Sequence, residues 1–481
     1  MADDKSARAG GRVIPLRRSG RPPTSRLVRD VKVASVPVAY SARRLAGVGR
    51  RLAGRSREEI GRDIRLRTAE HLVAVLGELK GCAAKVGQLA GIYCTALPFG
   101  WGSIVGAEFA ELGAAMLARL QDSVPPMLPG LVHQVLAANL GPDWRDSFRD
   151  FEDRPAAAAS LGQVHRAVWH DGRPVAVKIM YPGIRAAVHA DLQRLRSLSG
   201  VLSAVLPGAD VAAVIETVST CVREELDYRQ EAANQQACAT AFAGDPDFVV
   251  PAVLTCTDDV IVGDWVDGTP ITRWQATVDP GEYGRVGFLV LRFVTAAHRR
   301  TGLLYSDIHP GNLLVLPDGR LGVVDFGACG AFPPGFAQLL GDIADALLNE
   351  PPADLETVLL RHGFLAPAAD FDADGLAAVA APFLEVLGYD EFRLSPHWLR
   401  EQVDAITAVR VSNVFRQMTL PPDLTVVARA VLTAMGTMCR LGATGPIRGE
   451  FLSWWPDLAQ AVHRHEQRPR AAAEHADLVE G

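Results

Sequence analysis

Hydrophobic positions recur along this chain with two different periods, and the places where the period changes divide it. Between residues 58 and 97 apolar side chains fall three and four apart, with Leu72, Val73, Leu76 and Leu79 on one stripe, which predicts a helix. Residues 131–140 predict another, entered through P-P-M-L-P-G. Near Pro155 the period drops to two. The run A-A-A-A-S-L-G-Q-V-H-R-A-V-W-H, then Asp171 and Gly172, then R-P-V-A-V-K-I-M predicts strand, tight turn, strand. Helical spacing returns at 186–206, 211–242 and 283–300, interrupted at 260–268 by V-I-V-G-D-W-V-D-G, a strand expected to leave into a linker. A second Asp-Gly hairpin is expected within L-Y-S-D-I-H-P-G-N-L-L-V-L-P-D-G-R-L-G-V-V-D-F-G, residues 304–327, and from Gly335 onward only helix is expected. The fold class that follows is α+β, without internal repeats.

The second hairpin carries the candidate chemistry. A two-residue Asp318-Gly319 loop would set Leu316 opposite Leu321, and Asn312 opposite Asp325. Opposed residues of an antiparallel pair share a face. An amide and a carboxylate would then line one pocket, with Asp307 on the entering loop. An acid, an Asn five residues on, a hairpin and D-F-G is the spacing of a kinase catalytic and metal-binding set. The plainer alternative is a surface hairpin with turn carboxylates. Upstream, strand alternation in P-V-A-V-K-I puts Val175, Val177 and Ile179 on one face and Ala176 and Lys178 on the other. A small residue beside an ammonium suits an adenine ring and its phosphates. Such a Lys needs an anionic partner when buried, and C-V-R-E-E-L-D-Y-R-Q-E-A-A-N offers Glu225, Asp227 and Glu231. On one continuous helix Asp227 and Glu231 would share a face, with Glu225 on the next. Phosphate-cradling loops use Gly so that backbone N–H groups can approach; here the equivalent loop is expected at Ala156, Ala157, Ala158, Ala159 and Ser160, with a single Gly162. Far upstream, K-V-G-Q places Lys85 and Gln88 three apart on a helix.

Charge adds an arm to this picture. The net charge of −6 conceals 15 Lys and Arg against three Asp in residues 1–57, a net of +12 that leaves −18 for the rest. Such an arm is expected to be disordered, a solvated tail or one that touches anionic lipid; nucleic acid is not expected as a partner. It has no apolar stretch of signal-peptide type. The longest uncharged run, residues 86–107, is long enough to span a bilayer but is broken by Pro98 and five glycines, and no transmembrane helix is expected. Seven cysteines without C-x-x-C spacing exclude a disulfide or zinc framework and suit a reducing compartment. Only five of 49 basic residues are Lys, so Lys178 and Lys85 stand out as places where a compact ammonium is used.

Taken together, K-V-G-Q, L-Q-D-S-V-P-P-M (120–127), A-A-A-S-L-G-Q-V-H (157–165), V-A-V-K, E-L-D-Y-R-Q-E-A-A-N (225–234), D-I-H-P-G-N (307–312) and V-D-F-G (324–327) resemble the UbiB/AarF-type atypical kinases associated with coenzyme Q synthesis, over roughly residues 58–440. The resemblance implies an atypical protein-kinase-like two-lobe fold. Its expected division is a basic arm (1–57), a helical extension (58–150), an N-lobe (151–268), a largely helical C-lobe (269–440) and a tail (441–481). It further implies ATP or ADP with Mg2+ as cofactors. Lys178 would bind phosphates and pair with Glu231, Asp307 would stand as catalytic base, and Asn312 and Asp325 would hold magnesium. Lys85 and Gln88 would fold over the nucleotide towards Glu225 and Asp227, occluding a peptide site. The chain departs from the family pattern at Tyr305, usually His, and at Ile308, usually Pro. The implied activity is that of an ATPase or a small-molecule or lipid kinase in isoprenoid-quinone or membrane-lipid metabolism, cytoplasmic and peripheral at the membrane, with a lipid or quinone precursor as partner. A nucleotide-binding regulator without phosphoryl transfer, or an aminoglycoside-phosphotransferase-like kinase, are the rival readings.

Overall fold

The computed structural model describes scattered residues between 35 and 71 and residues 126–479, the latter except residue 160, residues 202–210, much of 366–383 and most of 408–420. Lys85, Gln88, Ser160, nearly all of the 58–97 helix and the uncharged run 86–107 lie outside the described residues, as does most of the basic arm.

The first sheet is built from β1 (Phe148–Ala159), β2 (Gly162–Trp169), β3 (Pro174–Met180), β5 (Val253–Cys256) and β6 (Val260–Asp264), in the order β1-β2-β3-β6-β5 and antiparallel throughout. Period-two alternation decides its faces. Val175, Val177 and Ile179 point to one side and are fully buried against Val132 and Leu136 of α1 (Pro129–Leu140), with Trp144 and Phe148 closing the cluster. Ala176 and Lys178 take the other side, as expected. That face meets α4 (Tyr228–Ala241), whose Tyr228 and Ala232 pack on Met180 and Ile261. Two helices, α2 (Ile184–Ser197) and α3 (Val211–Glu224), lie between β3 and α4 in sequence.

Downstream, α5 (Tyr283–Thr301) is the apolar spine of the larger core. Its Val286, Leu289, Val290, Phe293, Val294 and Ala297 are buried among the strands β8 (Leu304–Tyr305), β9 (Leu313–Val315) and β10 (Leu321–Val323). In the second sheet β10 pairs antiparallel with β9 and parallel with β4 (Phe248–Val249), and β9 also takes β7 (Thr269–Pro270). A short β11 (Cys329–Gly330) pairs with β8. The rest is largely helical: α6 (Phe336–Leu348), α7 (Pro352–Arg361), α8 (Pro396–Thr407), α9 (Thr425–Leu441), α10 (Ile447–Trp454) and α11 (Pro456–Val479). This is a mixed α+β architecture. One small ladder breaks the all-helical expectation: β12 (Phe392–Arg393) pairs with β13 (Thr444–Gly445).

Three local expectations are corrected. Residues 211–242 are two helices, broken at Glu225–Leu226–Asp227 because the Asp227 carboxylate caps α4 by accepting the Gln230 N–H at 3.0 Å. Asp227 therefore does not share a helix face with Glu231. The alanine run is not a loop: Ala157, Ala158 and Ala159 pair with Val164, Gln163 and Gly162 as the end of β1. Finally, both Asp-Gly hairpins use three-residue loops. Leu316 N–H donates to Arg320 O, and Gly319 takes φ +86°; Trp169 N–H donates to Arg173 O, and Gly172 takes φ +101°. A turn closed by Gly in the left-handed region accounts for both. In each loop the Asp side chain bonds the backbone N–H and Nε of the Arg two residues on, Asp318 to Arg320 and Asp171 to Arg173, which selects the longer loop. The register of β9 and β10 slips by one, so Leu313 faces Val323 and Asn312 meets Val324, not Asp325.

Gly162 permits the closest approach in the first sheet. A Cβ there would lie 2.2 Å from the Ile179 carbonyl oxygen and 3.0 Å from the Tyr228 hydroxyl. Gly162→Ala should destabilise the fold by about 1–3 kcal/mol, because strand backbone must shift to admit the methyl. Gly319→Ala should lose about 1 kcal/mol for the positive φ alone. Urea unfolding midpoints check the order of the two.

Candidate functional site

Lys178 sits at the centre of the candidate site. Its alternation position on β3 aims it at the N-terminal turn of α4, and Nζ donates to Glu231 Oε1 at 2.5 Å. Asp325 Oδ2 approaches the same ammonium at 3.4 Å, and the Tyr228 ring centroid lies 5.2 Å away. Glu231 is 3 % exposed and Asp325 about a third exposed, so the cluster is closed on one side and open on the other. Burial alone would lower the Lys178 pKa, but Asp325, then Glu231, outweigh it and hold the ammonium well above its ordinary range. Burial pushes Glu231 up to about 7 against the pull of Lys178, with Asp325 adding to the rise. One cation faces two carboxylates, and burial makes Glu231 take up a proton more readily than a free side chain does.

Asp325 reaches this position through its backbone. It is the only non-glycine described residue at positive φ, +66°. Bonds fix the peptide on both sides. Val324 donates to Asn312 O at 3.0 Å, and its carbonyl accepts from the Tyr305 hydroxyl at 2.9 Å. The Phe326 carbonyl accepts from Asn234 Nδ2 at 3.2 Å, and Gly327 N–H returns to Asp325 Oδ1 at 3.3 Å. The sequence motifs E-A-A-N and D-F-G thus meet directly. Tyr305 is buried against Phe293 and Phe326, and its hydroxyl lies among Asp325, Asp307 and the Asn312 amide. Of the three residues expected at one site, Asn312 bonds the Asp307 carbonyl, and Asp307 and Asp325 both act on the Tyr305 hydroxyl, despite the register slip. Burial, with these carboxylates adding to it, raises the Tyr305 pKa well above the phenol range, so it remains a donor.

The loop carrying Asp307 is clamped from behind by α9. Arg429 Nε and Nη2 donate to Ser306 Oγ, Thr433 Oγ1 to Ser306 O at 3.3 Å, and Thr437 Oγ1 to Ile308 O at 2.8 Å. Residues 429, 433 and 437 are successive turns of one helix face. Ser306 Oγ in turn donates to Ala328 O at 2.8 Å. Asp307 O accepts from the Asn312 amide at 3.3 Å and from His309 N–H at 2.8 Å. Arg429 is nearly fully buried and reaches Glu224, at the end of α3, at 3.7 Å. Burial opposes its charge, but Cys221, Glu224, Asp307 and Glu225 together raise its pKa. Sequence reading missed Arg429, Asn234 and Tyr228. The available signal for Arg429 was a lone charge inside the apolar stretch T-V-V-A-R-A-V-L-T-A-M-G.

Among the expected ligands, Asn312 and Asp325 offer an amide and a carboxylate, and the Asn312 amide nitrogen is already turned to Asp307 O, leaving its oxygen end as acceptor. Magnesium in phosphate-transfer sites keeps waters and phosphate oxygens and takes one or two protein groups, so this donor set fits it. Among the described residues no cluster of three or more His, Cys, Asp or Glu could hold an ion alone. Glu225 falls in the break between α3 and α4, and the Asp227 carboxylate is engaged as the α4 cap.

The Glu231 pKa has a consequence for stability. Folded Glu231 titrates near 7, above the 4.5 of the free side chain. The folded state thus binds the extra proton between those values, and its contribution is full at low pH and lost as pH rises through about 7. Raising pH from about 5 to 8 should cost the ligand-free protein up to about 3 kcal/mol from this group, and Glu231→Gln should flatten that slope. Unfolding midpoints of both proteins across the range check it.

The profile of the ABC1 atypical kinase-like domain matches residues 119–357. A solved structure described as the complex of Rv3197 with erythromycin from Mycobacterium tuberculosis is similar at 33% identity and a TM-score of 0.60, over 84% of this chain and 100% of that one. The uncharacterised Synechocystis protein slr1919 is 32% identical over 63% of this chain and 52% of its own length. Arabidopsis thaliana chloroplastic ACTIVITY OF BC1 COMPLEX KINASE 1 is 34% identical over 53% of this chain and 38% of its own. The chain thus spans about half or less of those two relatives. The atypical kinase COQ8B of Danio rerio mitochondria is 25% identical over 93% of this chain and 71% of its own length. With the matched range 119–357 holding Lys178, Glu231, Asp307, Asn312 and Asp325, the chain belongs to the ABC1, or UbiB/AarF, family of atypical kinase-like proteins.

Proposed function

We propose that this protein binds magnesium–ATP or ADP at the Lys178 cluster and works as an ATPase or small-molecule or lipid kinase in isoprenoid-quinone or membrane-lipid metabolism. The observation that carries the reading is the ammonium held between Glu231 and Asp325. Glu231 fixes its direction, and the exposed side of Asp325 leaves room for an anion beside it. In this reading Lys178 holds phosphate oxygens, and Asn312 and Asp325 hold magnesium, whose charge offsets that of the phosphates. Asp307 accepts the proton of an acceptor hydroxyl or water, on a loop that Arg429, Thr433 and Thr437 keep in place. Ala157, Ala158 and Ala159 cover the nucleotide as paired strand, which is stiffer than a glycine loop. Lys85 and Gln88 gate access from the preceding segment.

Only eight residues separate Gly327 from the start of α6 at Phe336, which leaves no activation segment of ordinary length and argues against a peptide substrate. A lipid or quinone precursor is the acceptor class proposed, with the basic arm holding the protein against anionic membrane. Among the described residues no helix is long and apolar enough to cross a membrane. The rival reading keeps nucleotide binding and drops phosphoryl transfer. ATP turnover with and without membranes separates the two.

Lys178→Ala and Asp325→Asn should each weaken ATP binding at least tenfold while leaving the fold intact, the loss of one charge-assisted contact at about 1.5–3 kcal/mol. Binding should require Mg2+ in the wild type. ATP-induced thermal stabilisation that survives in both variants would defeat the site assignment.

Deleting residues 1–57 should lower affinity for anionic vesicles and leave nucleotide binding alone. The +12 arm contributes at most about 1 kcal/mol per basic residue near such a surface. Vesicle co-sedimentation at low salt checks it, and no binding by the full chain would reduce the arm to a tail.

A further inference from the structure

The Tyr228 hydroxyl is a buried donor without a hydrogen-bond partner. Tyr228 opens α4 and is 2 % exposed, its ring packed among Met180, Ala232 and Ile261. The hydroxyl oxygen lies 3.0 Å from where a Cβ on Gly162 would stand, so it faces the first residue of β2, directly after the turn that ends the alanine run. On its flank, Lys178 Nζ stands 5.2 Å from the ring centroid. The Glu231 carboxylate is already engaged by Lys178. Leaving such a donor unpaired costs about 1–3 kcal/mol, a cost that native proteins rarely carry without a use.

We infer that Tyr228 is a further nucleotide-binding residue, its O–H donating to a phosphate oxygen of the nucleotide held by Lys178. The inference rests on the nucleotide site proposed above. Three features support a phosphate as the missing acceptor. The ring that carries the hydroxyl lies beside the ammonium that would draw a phosphate. The hydroxyl faces Gly162, paired with Ala159 at the end of the alanine run that the sequence marks as the phosphate-cradling stretch. Gly162 adds no side chain beside the oxygen, where the Ile179 backbone is the other near neighbour. The phenol is a suitable donor, since burial lifts its pKa well above the usual range and against the pull of Lys178. A fully anionic acceptor makes this a charge-assisted bond, stronger than one to neutral water.

Tyr228→Phe isolates the hydroxyl, because it keeps the ring, its packing and its contact with Lys178. The full-length variant and wild type are compared by ligand-free unfolding midpoint and by affinity for Mg–ATP and for adenosine, which lacks phosphate. The expected result is a variant at least as stable as wild type without ligand, about tenfold or more weaker for Mg–ATP, and unchanged for adenosine. Unchanged Mg–ATP affinity would overturn the inference, as would an equal loss for both ligands. A ligand-free variant less stable than wild type would overturn it as well, since the hydroxyl would then be paired within the fold. The wild-type arm reports separately on the site itself. If wild type binds no Mg–ATP, the nucleotide reading fails and this inference falls with it, whereas wild-type binding with an unaffected variant sinks the inference alone.

Discussion

One ammonium between two carboxylates sets the demands that the rest of this structure meets. Taking Lys178, Glu231 and Asp325 out of water costs several kcal/mol per ion, which their mutual attraction repays only in good geometry. The cluster is therefore poor cement. Cohesion comes from the apolar faces around it: Val175, Val177 and Ile179 behind β3, and Phe293, Tyr305 and Phe326 behind D-F-G. What the ions specify is position. They bring together β3, the first turn of α4 and the end of the β9–β10 hairpin, segments separated by as much as 147 residues of chain, from Lys178 to Asp325.

Each arm of the cluster has its own reason for being where it is. Lys178 follows from alternation on a strand whose other face is buried. Glu231 follows from the Asp227 cap, which starts α4 one turn earlier and places the carboxylate near the positive end of the helix. The Asp307 loop could bend away on its own, since Leu304 and Tyr305 form only a two-residue strand. Arg429, Thr433 and Thr437 prevent this by bonding successive groups of the loop from three turns of α9. The late, helical part of the chain thus serves the site without touching its open side.

Much of this was legible in the sequence, and the misses share a cause. The face alternation on β3, the α+β class and the meeting of Lys178 with Glu231 followed from periodicity and the recognised motifs. The register of the β9–β10 hairpin did not, because Asp-Gly suits either a two- or a three-residue loop. The choice was made by the Asp318 side chain bonding Arg320, a contact two residues away that periodicity does not encode. The same D-G-R arrangement recurs at Asp171 and Arg173, so the signal was present twice. The break at Glu225–Leu226–Asp227 was hidden likewise, because uniform helical spacing runs through it while a capping carboxylate interrupts it. Arg429 donates to the Ser306 hydroxyl and Asn234 to the Phe326 carbonyl, partners far away in sequence that no local pattern names.

The slip in register makes Asp325 the telling residue. With Asn312 opposite Val324, simple alternation would carry the next side chain to the opposite face. The chain recovers the shared site by leaving the strand at Val323 and taking a left-handed turn at Asp325, a conformation costing about 1–3 kcal/mol for a residue with a Cβ, although Asp tolerates it better than most. Such strain persists only where neighbours over-determine it. Here the Tyr305 hydroxyl holds the carbonyl before Asp325, Asn234 holds the carbonyl after it, and Gly327 N–H holds its carboxylate. Tyr305 stands where the family pattern expected from the sequence has His, and its phenol reaches across the loop to donate to Val324 O. The substitution therefore preserves the tether on Asp325 while filling the aromatic pocket between Phe293 and Phe326. Departure from the family residue and retention of the site's geometry are compatible, because the requirement is a buried donor at that distance rather than an imidazole.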